Sequence, residues 1–313
     1  MSTTQKERLL RRAELQIDEL TGRVRPIVQA VRERGDEALI EFTARFDSVQ
    51  LTPERLRVSR EEIEQAYQVL DAEIQAALMH AIHNVRTFHE RQMPHEQWFT
   101  EVEPGVMAGE KITPVGSVGL YVPRGKGAFP SVMYMLATPA SIASVPRIVV
   151  CTPPGPGGEI DPASLVAADL CGVHEIYRVG GAQAIAALAY GTPTIGRVHK
   201  ITGPGSGYVA AAKRLLYGTV DVGLPAGPSE SITLADATAD AELLARDLLI
   251  EAEHGPDSSA LLVTDSRPLA EAVIALLPGK IAALPEPRQT FVHTVLEQAE
   301  GTGGIVLAES MDE

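Results

Sequence analysis

Arg147-Ile-Val-Val-Cys151, Pro162-Ala-Ser-Leu-Val-Ala-Ala-Asp-Leu170, Glu175-Ile-Tyr-Arg-Val179 and Ala182-Gln-Ala-Ile-Ala-Ala-Leu-Ala-Tyr190 follow one another in mid-chain. The first and third are short and rich in β-branched or aromatic residues, which suits strands. The second and fourth are longer and Ala-rich, which suits helices. The alternation extends outward in both directions. Upstream lie a strand in Ser117-Val-Gly-Leu-Tyr-Val-Pro123 and a helix from Ser131 to Ala143; downstream, a strand at Lys200-Ile-Thr202 and a helix from Tyr208 to Leu216. A second round has strands at Ile232–Leu234, Ala260–Val263 and Gly304–Leu307, with helices at Asp240–Glu253 and Leu269–Leu276. Apolar strands separated by helices predict an α/β fold with parallel sheet covered on both faces.

Before residue 115 the texture is helical. Arg25–Phe46 carries apolar residues at helical spacing, interrupted at Gly35-Asp36, and Leu56-Arg-Val58 is a short strand candidate. Ser59-Arg-Glu-Glu62 has the capping-box pattern and starts a helix. Ile74, Ala77, Leu78, Ala81, Ile82, Val85 and Phe88 then form one apolar face, and His80, His83 and His89, with His95 nearby, fall on or beside the polar one. A polar helix face explains these histidines without a metal. Pro153–Gly158 and Leu224–Pro228 mark a loop and a domain crossing, and no repeat or low-complexity tract interrupts the pattern.

The chain has 313 residues, 45% of them hydrophobic and only 4% aromatic, with 27 glycines and 22 prolines. That length suits about two domains, with aliphatic, Ala-rich cores and many sharp turns. The net charge of −14 argues against a phosphate-neutralising surface, so nucleic acid is excluded as a main partner. No apolar run approaches the ~20 residues of a membrane span. Met1-Ser-Thr-Thr-Gln-Lys-Glu-Arg8 lacks the apolar core of a signal peptide, so a cytoplasmic location is expected. Cys151 and Cys171 sit in apolar settings and are expected to be small buried hydrophobes.

Three strands end in glycine-rich turns: Val179-Gly-Gly-Ala-Gln183, Thr202-Gly-Pro-Gly-Ser-Gly-Tyr208 and Pro225-Ala-Gly-Pro-Ser-Glu-Ser231. Ligands of parallel α/β sheets bind at the carboxyl ends of the strands, where helix N-termini offer free N–H groups. A dinucleotide fits this placement, and tight strand-to-helix connection explains the glycines equally. Gly203-x-Gly205-x-Gly207 departs from the Rossmann fingerprint because its last glycine comes one residue early; Asp221 lies about where a ribose-binding acid would follow. Glu251 and His254 share a helix face at i,i+3. They form either two ligands of a divalent metal or a structural pair.

At this point the chain resembles a known family, the histidinol dehydrogenases. The resemblance is carried by Ser117–Pro123, Leu136-Ala-Thr-Pro-Ala-Ser-Ile142, Gly180-Gly-Ala-Gln-Ala-Ile-Ala-Ala-Leu-Ala-Tyr-Gly191, Gly203-Pro-Gly205, Ala226-Gly-Pro-Ser-Glu230 and Ala252-Glu-His-Gly-Pro-Asp-Ser258. It runs from about Val24 to the last residue. It implies two parallel-sheet, Rossmann-like α/β domains, one inserted into the other, with N-terminal helices. Residues 1–23 would be a helical arm, 24–120 with 230–313 a discontinuous domain carrying the metal-site helix, and 121–229 the inserted NAD-binding domain. The implied activity is oxidation of L-histidinol through L-histidinal to L-histidine, ending histidine biosynthesis, with NAD and zinc as cofactors in a homodimer. Tyr121, Gln183 and Ser206 match cofactor-contacting positions. Ser229 matches a substrate contact, and Glu251 and His254 match metal and substrate positions.

The resemblance has three departures. The family's glutamine ligand is here Glu251, and its cofactor-contacting asparagine is Ser206. Both leave room for a dehydrogenase of another polar alcohol. The family's Glu-His acid/base pair, in a Pro-Glu-His-Leu context, is absent from these 313 residues. By the resemblance it is expected beyond Glu313, together with the remaining zinc ligands. No catalytic acid/base residue is therefore expected within this chain, and a catalytically silent NAD-binding copy is the third reading. His293 reads as an ordinary helix position and is no stand-in.

Overall fold

The structure, a computed structural model, describes residues 17–124, 127–223, 230–256, 258–298 and 301–310. These divide into two compact units, one before and one after the stretch 224–229.

The first unit opens with α1 (Ile17–Arg34) and α2 (Asp36–Phe46), hinged at Gly35, whose φ of 55° is a conformation glycine tolerates best. Val24, Val28 and Val31 line one buried stripe of α1, and Leu39 and Phe42 continue it on α2. The strand expected at Leu56–Val58 is instead a one-turn helix, α3 (Pro53–Leu56), followed by a single antiparallel bridge from Arg57 to Tyr177. Pro53 at the first helical position presets that turn, leaving only Arg57 to reach the sheet edge. The capping box forms as expected: Ser59 accepts from the Glu62 amide, and Glu62 accepts from the Ser59 amide at 2.9 Å, opening α4 (Arg60–Val69). On α5 (Ala72–Glu90) only Leu78 and Ile82 of the expected apolar face are buried, while Ile74 and Phe88 remain exposed. His80, His83 and His95 are exposed and His89 is half-buried.

An antiparallel hairpin, β1 (Gln97–Glu103) with β2 (Val106–Lys111), follows; sequence reasoning missed it. Every residue in both strands is exposed, so no buried face imposed the alternation by which strands are recognised.

The central element is a four-stranded parallel sheet of order β5-β4-β3-β6: β3 (Val118–Tyr121), β4 (Ile148–Thr152), β5 (Glu175–Arg178) and β6 (Lys200–Thr202). Its helices are α6 (Pro130–Ile142), α7 (Pro162–Leu170), α8 (Gly181–Tyr190) and α9 (Gly207–Leu216). Strand alternation sorts the core. Tyr121, Val149, Cys151, Tyr177 and Ile201 pack with α8, α9, α1 and α2. Val118, Leu120, Val150 and Ile176 pack with α4 to α7. Gly119 has no side chain because a Cβ there would lie 2.9 Å from the Leu188 methyls. β3 bonds to both β4 and β6, and α1 packs on α8 and α9 within this unit.

The second unit holds a parallel sheet of order β7-β8-β9: β7 (Glu230–Leu234), β8 (Ser259–Thr264) and β9 (Gly304–Leu307). Helices α10 (Ala241–Ala252), α11 (Arg267–Ala282) and α12 (Arg288–Leu296) bury Leu244, Leu248, Val273, Val292 and Val295 against Ala260 and Leu262. Successive strands add in one direction, the order in which right-handed crossovers place all helices on one face. Ile232 and Leu234 of β7 stay exposed.

Candidate cofactor site and the Glu251–His254 pair

In the first sheet the chain runs β3, β4, β5 in one direction, then returns to place β6 on the other side of β3. Such a reversal opens a crevice outside the carboxyl ends of the two strands that flank it. Tyr121 ends β3 and the Thr202-Gly-Pro-Gly-Ser206 turn follows β6. They are in intimate contact: Gly203 adopts φ 120°, and a Cβ on it would stand 2.2 Å from the Tyr121 carbonyl oxygen.

Tyr121 is buried, and its hydroxyl accepts from the Gly181 amide at 2.9 Å, at the first residue of α8. Burial pushes the phenol up to about 12, so it stays neutral and keeps a proton to donate. Gln183 lies in the first turn of α8, is 1% exposed, and its Oε1 has no partner among the described residues. A buried amide oxygen without a partner is costly, about 1–3 kcal/mol, and marks a place where a donor belongs. Ser206 is exposed at the N-cap of α9 and its hydroxyl makes no capping bond. The three expected cofactor residues thus sit on the β3, β5 and β6 connections at one end of the sheet, each with unused bonding capacity.

Asp221 does not fit the ribose role. It is bound to Lys200 Nζ at 2.7 Å and to the Gly223 amide at 2.8 Å, and it lies beside the first residue of β6, away from the Gly203 turn. Cys151 and Cys171 are buried, and burial raises both thiols above their usual range, which suits inert core positions.

Two groups near this edge escaped the sequence reading. Lys213 of α9 is buried and donates to the Gly203 carbonyl at 2.6 Å; burial lowers its ammonium to about 8. A lysine within the apolar stripe Val209, Ala212, Leu216 is the signal that could have found it. Asp47, after α2, has a buried Oδ2 without a partner among the described residues, and burial raises its carboxyl to about 6. An unfolded aspartate titrates near 3.9, so the native state binds more protons between about pH 4 and 6. Stability therefore falls as pH rises through that window and stays reduced above it. Asp47→Asn is expected to stabilise the protein at pH 7 by about 1–2 kcal/mol, discounted for partial exposure. Urea denaturation checks this, and the gain should vanish at pH 4 or below.

In the second unit, Glu251 stands in the last turn of α10 and His254 just beyond its C-cap, with Nδ1 3.2 Å from Glu251 Oε1. Glu251 is mostly buried and His254 is half open to solvent. Among the described residues no third His, Cys, Asp or Glu joins them. Two donors from one helix end do not complete a zinc sphere. Ser229, the expected substrate contact, lies outside the described residues. So does Glu313, the position beyond which the resemblance puts the acid/base pair.

The fold and this edge define a parallel α/β protein with glycine-rich turns gathered at a sheet's topological switch point. Known proteins give the next step. The histidinol dehydrogenase family model matches residues 10–313. A histidinol dehydrogenase homolog of Cereibacter sphaeroides is 53% identical over 306 residues, covering 97% of this chain and 69% of its own. The histidinol dehydrogenase of a Synechocystis species is 50% identical, over 99% of this chain and 71% of its own. The crystal structure of histidinol dehydrogenase from Elizabethkingia anophelis superposes with a TM-score of 0.88 at 33% identity, covering 100% of this chain and 70% of that one. The chain belongs to the histidinol dehydrogenase family, whose members are oxidoreductases.

Proposed function

We propose that this chain serves the NAD-dependent, zinc-dependent oxidation of L-histidinol through L-histidinal to L-histidine. The observation that supports it best is the family match over residues 10–313 together with the buried, unsatisfied Gln183 Oε1 beside Tyr121 and Gly181. In this reading 121–229 carries the cofactor. Tyr121 donates its free phenolic proton, Gln183 accepts into its buried oxygen, and Ser206 offers its uncapped hydroxyl at the α9 N-terminus. NAD held there would supply hydride acceptance, two equivalents being consumed as the alcohol is taken to the acid and water gives the second oxygen. Glu251 and His254 supply two donors to zinc. A small amino alcohol is the substrate, and the enzyme is a cytoplasmic homodimer that needs neither nucleic acid nor membrane.

One observation favours a second reading. Glu251, not glutamine, is the hydrogen-bond partner of His254, and a carboxylate ligand lowers a metal site's electrophilicity and changes the substrate charge it prefers. A dehydrogenase of another polar alcohol fits this chemistry, and some relatives are named homologs of the dehydrogenase.

NADH formation at 340 nm with zinc and L-histidinol, then with a panel of polar alcohols, tests both. The family's Glu-His pair is not among these residues, so each assay is run on the chain alone and with the family's remaining segment supplied in trans. Turnover of histidinol supports the first reading, and turnover of other alcohols only supports the second. NAD binding without oxidation of any alcohol in either format would overturn both. The isolated chain is expected to retain well below one zinc per molecule, because two donors leave the metal open to exchange. A full equivalent surviving gel filtration, by elemental analysis, would contradict that.

A further inference from the structure

We propose that Lys213 is a positioning residue whose buried charge prepares the β6–α9 turn for the diphosphate of the dinucleotide. This rests on the NAD reading above and deepens it. Lys213 is buried in the core shared by α1, α8 and α9, and its ammonium reaches the Gly203 carbonyl at 2.6 Å. Among the described residues it has no carboxylate partner. Burying an unpaired ammonium is unfavourable, and a hydrocarbon side chain of the same length would fill that volume without the penalty. The charge therefore needs a use that packing does not supply.

Its surroundings point to that use. α8 contains no acidic or basic residue, and α9 contains no acid. Of the α1 residues whose side chains are described, the charged ones, Glu19, Arg23, Arg25, Arg32, Glu33 and Arg34, are exposed. On β6, Lys200 is paired with Asp221, and Arg214 of α9 is exposed. Asp47, the buried carboxyl at the same edge, makes no ion pair with Lys213, so among the described residues no side chain neutralises it, and its field and the α9 N-terminal dipole add at the Gly203 turn. The bond to Gly203 also draws that carbonyl inward, which removes its negative end from the ligand side of the turn. A diphosphate is the part of a dinucleotide that gains from both effects, while a nucleoside gains from neither.

Calorimetric titration with ADP-ribose and with adenosine separates these contributions. Lys213→Met is expected to weaken ADP-ribose about tenfold and adenosine less than twofold. In the unmodified chain, ADP-ribose affinity should fall several-fold between pH 7 and pH 9, as Lys213 loses its proton, while adenosine affinity stays flat. Neither ligand titrates in that range. This second measurement needs no variant, so it stands even if Lys213→Met does not fold. Equal losses for both ligands, or an ADP-ribose affinity independent of pH, would overturn the inference and leave Lys213 a structural residue. Failure of the unmodified chain to bind either ligand would instead bring down the NAD reading itself.

Discussion

Gly203→Ala is expected to destabilise the protein by about 2–6 kcal/mol and, on the proposed NAD reading, to abolish binding of NAD. Two penalties add. A φ of 120° is a conformation that side chains rarely adopt, worth about 1–3 kcal/mol. The new Cβ would also stand 2.2 Å from the Tyr121 carbonyl oxygen, and overpacking against backbone costs about another 1–3 kcal/mol because the backbone cannot rotate away. The affected peptide closes the β3–β6 crevice, so the turn, the Lys213 bond and the approach to Tyr121 are disturbed together. Gly172 gives the control. Its φ is 78° but a Cβ there would meet nothing within 4 Å, so Gly172→Ala should lose only about 1 kcal/mol. Urea midpoints of the two variants separate strain from clash; equal values would refute the close approach of the two strand ends.

The second large effect is expected at Arg178. This residue ends β5, is 1% exposed, and donates from one guanidinium nitrogen to the Arg55 and Arg57 carbonyls at 3.0 and 2.9 Å. Its other terminal nitrogen is held by Glu62, the carboxylate of the capping box. One side chain therefore ties the sheet edge to α3 and α4. Arg178→Met should cost about 3 kcal/mol, since two carbonyls lose charge-assisted bonds that a thioether cannot replace. Burial acts to raise the Glu62 carboxyl, but Arg178 and the Ser59 amide outweigh it and hold the carboxyl below its usual range. A depressed carboxylate stabilises the fold above its unfolded pKa and ceases to do so as pH falls through its folded value. The gap between the variant and the parent should therefore narrow below about pH 4. Thermal melts at pH 7 and pH 3.5 check both sign and size.

Where the sequence was legible, the physical cause was local. The core strands and helices from 117 to 216 fall within about two residues of their expected places, because each strand is buried on both faces and each helix is apolar enough to declare itself. The Ser59–Glu62 capping box is a contact between residues three apart, and it formed as its letters imply. The hairpin at 97–111 was illegible for the converse reason: with no buried face it has no alternation to read. Leu56–Val58 misled because a β-branched residue beside a leucine resembles a strand, while Pro53 set a helical turn and left a single bridge.

The site divides in the same way. Tyr121 and Gln183 are proposed from the family motifs around them, and the proximity of Glu251 to His254 is what one turn of helix guarantees. Lys213 and Asp47 could not be named in this way, because their character comes from burial. A lysine ten residues beyond Gly203 becomes a buried cation on that carbonyl only when α9 folds back over β6.

The sequence by itself determined the α/β class, the glycine turns at strand ends and the family, since these depend on local periodicity and on residues adjacent in the chain. Tertiary structure alone decided that β6 lies on the far side of β3 from β4, which places the Gly203 turn against Tyr121 and makes a crevice of two separate loops. It also decided which polar groups are left buried and unpartnered. Strand order and desolvation are properties of elements brought together from far apart in the chain, and no local pattern encodes them.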